Sequence, residues 1–341
     1  MAMKYRLLGR SAMRVSELAL GTMTFGEKWA WGASLDESRR MVDLYLDKGG
    51  NFIDTASNYT DGQSEAFLGE LLGDRRERIV LATKYTLTSN RQDPNAGGNH
   101  RRNMVQSVER SLRRMRTDRI DLLWMHMWDG MTPIEEVMRA FDDLVASGKV
   151  LAVGISDTPA WVISRGVAIA EQRGWTVPCA IQLPYSVSGR DAERELLPMA
   201  SQLGMAVTVW GVLNGGVLTG KYGRANEEPR RYGEETPSER SARAAAAIKE
   251  VADECEATPA QVSIAWALAR RPEVNLIPIL GARTGKQLEE NLGALNVKLN
   301  AEMVRKLDDS SGFQVGFPRS FLADEEVVGL IFGETRGLIE A

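Results

Sequence analysis

The chain has 341 residues, 43% hydrophobic and 26% charged, enough apolar material for a sizeable core in one large α/β domain or two smaller ones. A formal net charge of -4, a pI near 5.6 and basic residues interspersed with acids argue against nucleic acid or an anionic membrane as partner. Cys179 and Cys255 are too far apart for a disulfide framework or a cysteine zinc site, and no stretch approaches the ~18 apolar residues of a membrane span, so a soluble cytoplasmic protein is expected.

In chain order, two apolar runs flank Gly9-Arg10-Ser11 and predict a small hairpin placed to plug a barrel floor. Strand-like runs follow at 18–21, 51–54, 79–83, 120–126, 150–155, 179–183, 205–210 and 274–279, separated by longer amphipathic segments. The expected helices cover 38–48, 103–115, 132–147, 192–203 and 261–270, the last preceded by Thr258 as N-cap and Pro259 at the first helical position. About eight strands alternating with helices is the count of a closed parallel barrel. The polar stretch 222–241 falls where the loop after the seventh strand belongs and is either a lid or a solvated insertion. The tail 312–341 carries Phe313, Phe317, Phe321 and Phe332, which packing over one barrel face would bury.

Asp54, Lys84 and His126 each sit at or just beyond a strand-like run, and Tyr59 lies on the loop after Asp54. In a parallel barrel such positions converge at the carboxyl ends of the strands. A tyrosine, with an ordinary pKa of ~10, is a poor acid near neutrality unless a cation favours its phenolate. Lys84 is placed to supply that cation, Asp54 to hold the ammonium, and His126 to orient a carbonyl oxygen by hydrogen bonding. His100 and His126 are the only histidines, which argues against a metal site built on several imidazoles.

The segment Gly50-Asn51-Phe52-Ile53-Asp54-Thr55-Ala56-Ser57-Asn58-Tyr59, followed by Gly62-Gln63-Ser64-Glu65, closely resembles the aldo-keto reductase signature. Leu81-Ala82-Thr83-Lys84 and Asp121-Leu122-Leu123-Trp124-Met125-His126 resemble the family's second and third signatures. The similarity runs from the hairpin to about Asn296. It implies a (β/α)8 TIM barrel with an N-terminal β-hairpin, the catalytic set Asp54, Tyr59, Lys84 and His126, and a nicotinamide cofactor bound without a Rossmann domain. Consistent with that, Gly21-Thr22-Met23-Thr24-Phe25-Gly26 lacks the Gly-x-Gly-x-x-Gly spacing, although Gly21, Thr22 and Met23 are expected, like Asp54, to touch the cofactor.

By resemblance, Ser156, Asp157 and Gln182 hold the nicotinamide carboxamide, and Asp157 stands where the family usually has Asn. An ionised carboxylate there can accept from the carboxamide nitrogen but cannot donate to its oxygen. Trp210 matches the aromatic that stacks on the nicotinamide, and Gly211, Val212, Leu213, Gly216 and Lys221 match the pyrophosphate segment. Gly281, Arg283, Gln287, Glu290 and Asn291 resemble the adenosine pocket, where the Arg283 guanidinium suits a 2'-phosphate and so NADP over NAD.

The expected reaction is reduction of an aldehyde or ketone, with Trp29, Trp31, Tyr85, Trp128 and Phe317 as candidate walls for an aromatic or otherwise apolar carbonyl substrate. Gly281-Ala282, Gln287-Leu288, Glu290-Asn291 and Gly293-Ala294 also resemble the β subunits of voltage-gated potassium channels, which implies an alternative, a redox-sensing regulatory subunit with little turnover. That branch typically has Asn at the position of His126, so the histidine favours a working reductase.

Overall fold

The protein is described here from a computed structural model that covers residues 3–29, 31–220, 237–271 and 273–339. A two-stranded antiparallel hairpin, β1 (Tyr5–Leu7) and β2 (Arg14–Ser16), precedes eight parallel strands. These are β3 (Ala19–Gly21), β4 (Phe52–Asp54), β5 (Val80–Tyr85), β6 (Ile120–Met125), β7 (Val150–Ser156), β8 (Ala180–Pro184), β9 (Ala206–Trp210) and β10 (Leu276–Gly281). They pair in sequence order, and β10 closes on β3 with Ile279 opposite Ala19, giving the expected TIM barrel with its N-terminal hairpin. The expected strands match the observed ones to within a few residues.

Side chains alternate in and out along each strand. The inward phase, Ala19, Phe52, Ala82, Leu122, Trp124, Ala152, Ala180, Ala206 and Ile277, forms a cluster in which a few large rings are accommodated by many alanines. Gly154 belongs to the same layer, and a Cβ there would come within 2.3 Å of the Trp124 ring. Leu8, fully buried, enters this cluster from the hairpin and plugs the floor as expected. Gly9 makes the plug possible: its φ is +52°, and a Cβ would stand 1.9 Å from the Cys179 carbonyl oxygen.

The outward phase packs beneath α1 (Leu35–Asp47), α2 (Gln63–Leu72), α3 (Arg101–Met115), α4 (Ile134–Ala146), α5 (Ala160–Arg173), α6 (Leu196–Gln202), α7 (Glu239–Glu254), α8 (Pro259–Ala269), α9 (Gly285–Leu292) and α10 (Ala301–Ser310). Thr258 caps α8 as expected, in a reciprocal box with Gln261. The expected 38–48 helix starts earlier, because the Ser34 side chain caps it by accepting from the Glu37 backbone. Helices α2, α5, α7, α9 and α10 were not foreseen, and the expected 192–203 helix is shorter at its start, where a 3-10 turn over Asp191–Glu193 intervenes. Among the described residues no helix is long and apolar enough to cross a membrane.

The stretch 222–241, expected as a loop, lies mostly outside the described residues; at its end Ser238 caps α7. The tail forms α11 (Arg319–Leu322) and α12 (Glu325–Phe332). Its expected burial is met only in part and only at Phe313, which is half-buried under the guanidinium groups of Arg190 and Arg194 at 5.2 and 5.0 Å. Phe317, Phe321 and Phe332 are exposed.

Candidate active site

The inward phase of the strands, followed to their carboxyl ends, assembles the site. Asp54 ends β4, and Lys84, in phase with Ala82, points to the barrel axis from β5. His126 stands one residue past β6, in phase with Leu122 and Trp124, while Tyr59 begins a 3-10 turn before α2 in which Thr60 and Asp61 are left-handed. The Lys84 ammonium, fully buried, donates to Asp54 Oδ2 and, at 2.7 Å, to the Thr55 carbonyl. The other carboxylate oxygen of Asp54 accepts from the Trp124 indole at 3.0 Å and the Gln182 amide at 3.1 Å. Both oxygens of Asp54 are therefore occupied by donors.

Burial works against the Lys84 charge, yet the Asp54 carboxylate and the Tyr59 hydroxyl outweigh it, and the Lys84 pKa rises above its ordinary value. The ammonium lies 5.0 Å from the centre of the Tyr59 ring, and Tyr59 meets His126 edge to face with ring centres 6.0 Å apart. Burial, with Lys84 adding repulsion, pushes the His126 pKa down to about 3, so the imidazole is neutral at physiological pH. Its Nδ1 is buried without a hydrogen-bond partner among the described residues.

These groups open into a cavity of about 600 Å³ that runs along the carboxyl ends of the strands. Asp54, Tyr59 and His126 share its wall with Gly21, Thr22 and Met23 from the end of β3. Asp157, Gln182 and Trp210 line one flank, followed by Gly211, Val212, Leu213 and Gly216. At the far end are Gly281, Arg283 and Gln287, with Glu290 and Asn291 on α9. At both Gly211, whose φ is +72°, and Gly281, an added Cβ would meet no atom within 4 Å, so the glycines leave open space along the wall. Lys221 lies outside the described residues. Ser156 is buried and does not line the cavity.

Asp157 adopts a φ of 41°, a left-handed conformation that Asn and Asp tolerate better than most residues, and its carboxylate accepts from the Trp210 indole at 3.3 Å. Burial lifts its pKa to about 6, against the opposing pull of the Trp210 hydrogen bond and Lys84. Near neutrality Asp157 is therefore mostly the ionised acceptor, and only below about pH 6 does it carry a proton it can donate.

Of the five residues expected around the substrate, only Trp31 lines the cavity. Tyr85 follows Lys84 and so points outward; it is buried against Phe141, and its hydroxyl donates to the Asn99 carbonyl at 3.2 Å. Trp29 packs on Trp31 and Trp128 on Trp161, ring centres 5.5 Å apart in each pair, and Phe317 is 82% exposed on the tail. The cavity instead has Asn58, Leu87 and Met127 beside the tyrosine and histidine, and Ile264 on α8 farther along. Asn58, Leu87 and Met127 neighbour residues already singled out, whereas Ile264 has no local signal because its role depends on how α8 packs.

A domain model, the aldo/keto reductase family, matches residues 17–311. Norsolorinic acid reductase of Aspergillus flavus is 39% identical, the match covering 93% of this chain and 84% of that protein. Norsolorinic acid reductase stcV of Emericella nidulans is 41% identical over 92% and 82%, and the aryl-alcohol dehydrogenase GME11368 of Pestalotiopsis microspora 35% identical over 94% and 85%. The chain belongs to the aldo/keto reductase family and is an oxidoreductase.

Proposed function

We propose that the protein is an NADPH-dependent carbonyl reductase in which Tyr59 is the general acid. The observation that carries this reading is a phenol in contact with a buried ammonium, itself held by a carboxylate with no free oxygen, at the head of a long cavity. An ammonium beside a phenol favours the phenolate and so brings a weak acid closer to neutrality. Asp54 keeps Lys84 charged and aimed, and Trp124 and Gln182 keep Asp54 fixed. Because His126 is neutral, it can donate a hydrogen bond to the substrate oxygen without bringing a second positive charge next to Lys84.

The glycine-lined wall fits a dinucleotide. Gln182 commits one amide hydrogen to Asp54, which leaves its carbonyl and second hydrogen for a carboxamide. Arg283 stands at the start of α9, whose N-terminus also favours an anion and so supports a 2'-phosphate. The cofactor, when bound, supplies hydride to the carbonyl carbon while Tyr59 supplies the proton to its oxygen. The names of the relatives and the apolar surface of Trp31, Leu87 and Met127 support an aromatic carbonyl or aryl alcohol as the substrate class.

The test is steady-state turnover on a panel of aromatic aldehydes and ketones with NADPH and NADH. NADPH is expected to be preferred, and Tyr59→Phe is expected to lower kcat by about 10²- to 10⁴-fold with NADPH affinity unchanged. Near-normal turnover by Tyr59→Phe overturns the assignment of the acid, and equal use of NADH overturns the choice of cofactor.

A further inference from the structure

We infer that Thr86, locked in place by Asn99, is a positioning residue for His126; this rests on the reading of His126 as the group that orients the substrate oxygen. The β5–β6 ladder ends with Tyr85 opposite Met125. One step farther, where strand hydrogen bonding has run out, Thr86 Oγ1 accepts the His126 backbone N–H at 3.2 Å. Thr86 reaches this position only with a φ of 103°. For a β-branched residue that conformation is a strained outlier, and strain of this kind persists where the surroundings over-determine it.

The surroundings here are explicit. Asn99, fully buried, donates through Nδ2 to Thr86 Oγ1 at 3.0 Å and to the Met127 carbonyl at 2.9 Å. Its backbone N–H donates to Asp129 Oδ2 and its Oδ1 accepts the Asp129 N–H, both at 2.7 Å. The Asn99 carbonyl accepts the Tyr85 hydroxyl. The Thr86 carbonyl in turn accepts from Gly98 N–H at 2.8 Å and from Asn103 Nδ2 at 3.3 Å. Apart from the Tyr85 hydroxyl at the end of β5, every hydrogen bond of this knot joins the loop after β5 to itself, to α3, or to the loop after β6, and that second loop begins with His126. The imidazole makes no hydrogen bond through Nδ1 among the described residues. Beyond its edge-to-face contact with Tyr59, the hydrogen bonds that place it act on its backbone, at the N–H that Thr86 holds and the Met127 carbonyl that Asn99 holds.

The side-chain acceptor can be removed without changing shape by Thr86→Val, while Thr86→Ser keeps the hydroxyl. With benzaldehyde as the probe substrate, Thr86→Val is expected to lower kcat by about 10-fold or more at unchanged NADPH affinity, and Thr86→Ser to restore most of it. In a His126→Ala background Thr86→Val is expected to cause no further loss, as for residues that act as one unit. The protein has two histidines, so NMR of histidine-labelled protein without cofactor follows both imidazoles; Thr86→Val should move the His126 signals, and Thr86→Ser should leave them near their wild-type positions.

An unchanged kcat, an equal fold-loss in the His126→Ala background, or unmoved His126 signals each overturns the inference. Wild-type turnover by His126→Ala alone overturns instead the reading on which it rests. Should Thr86→Val fail to fold, Asn99→Ser carries the same cycle, since it removes the donors to Thr86 Oγ1 and Met127; additive losses with His126→Ala would then overturn it.

Discussion

Two neighbouring groups of the site are pushed in opposite directions by burial, with opposite consequences for stability. Asp157, raised from 3.8 to about 6, keeps its proton in the folded chain after the unfolded chain has lost it. The stability this confers is complete below pH 3.8 and is lost as pH rises through 6. His126, lowered from 6.5 to about 3, is the reverse: its contribution is intact above pH 6.5 and disappears as acid protonates the unfolded chain first. Asn preserves both the left-handed backbone and the size of Asp157. Asp157→Asn is therefore expected to be more stable than the wild type at pH 7 by on the order of 2 kcal/mol, with the difference shrinking below pH 6 and gone by about pH 4. Denaturant melts across that range decide it; a difference that does not change with pH would mean that Asp157 titrates normally.

At the level of elements, what could be read from the chain depended on whether the signal was local. Thr258-Pro259 fixed the start of α8 because a cap and a first-turn proline act within four residues. Lys84 is legible as the end of a strand-like run, and the alternation that turns it inward turns Tyr85 outward, away from the substrate wall. Helix α5 begins after Pro159 without any side-chain cap, and α7 starts inside a stretch whose polarity resembles a loop, so neither announced itself. The link between Thr86, Asn99 and Asp129 was out of reach: it depends on a backbone angle that no composition or period encodes. The capping box of α8 has a second function, since Gln261 Nε2 also donates to the Glu290 carbonyl of α9 at 2.9 Å. Thr258→Ala should cost about 1 kcal/mol, seen as a lowered melting temperature, and an unchanged melting temperature would show that Gln261 alone secures this end.

For the molecule as a whole, the two ends of the barrel divide the work. The floor is closed by Leu8 on the hairpin, and the chemistry collects at the opposite rim. Leu8→Ala is expected to leave a void worth about 2–5 kcal/mol of stability while kcat of the folded enzyme stays at the wild-type value. A fall in kcat at full occupancy of the native state would show that the floor communicates with the rim. The seam between β3 and β10 carries a different consequence. It pairs Ala19 with Ile279 and is reinforced from outside the barrel by Arg271 binding Glu17 and by Arg6 binding Asn275 at 2.8 Å. All of these contacts join the two ends of the sequence, so none can form until most of the chain has been synthesised and collapsed. On a ribosome the growing barrel would therefore remain an open sheet with an exposed edge until nearly the end of translation, and this stage, rather than the finished enzyme, is where the chain is most exposed to aggregation.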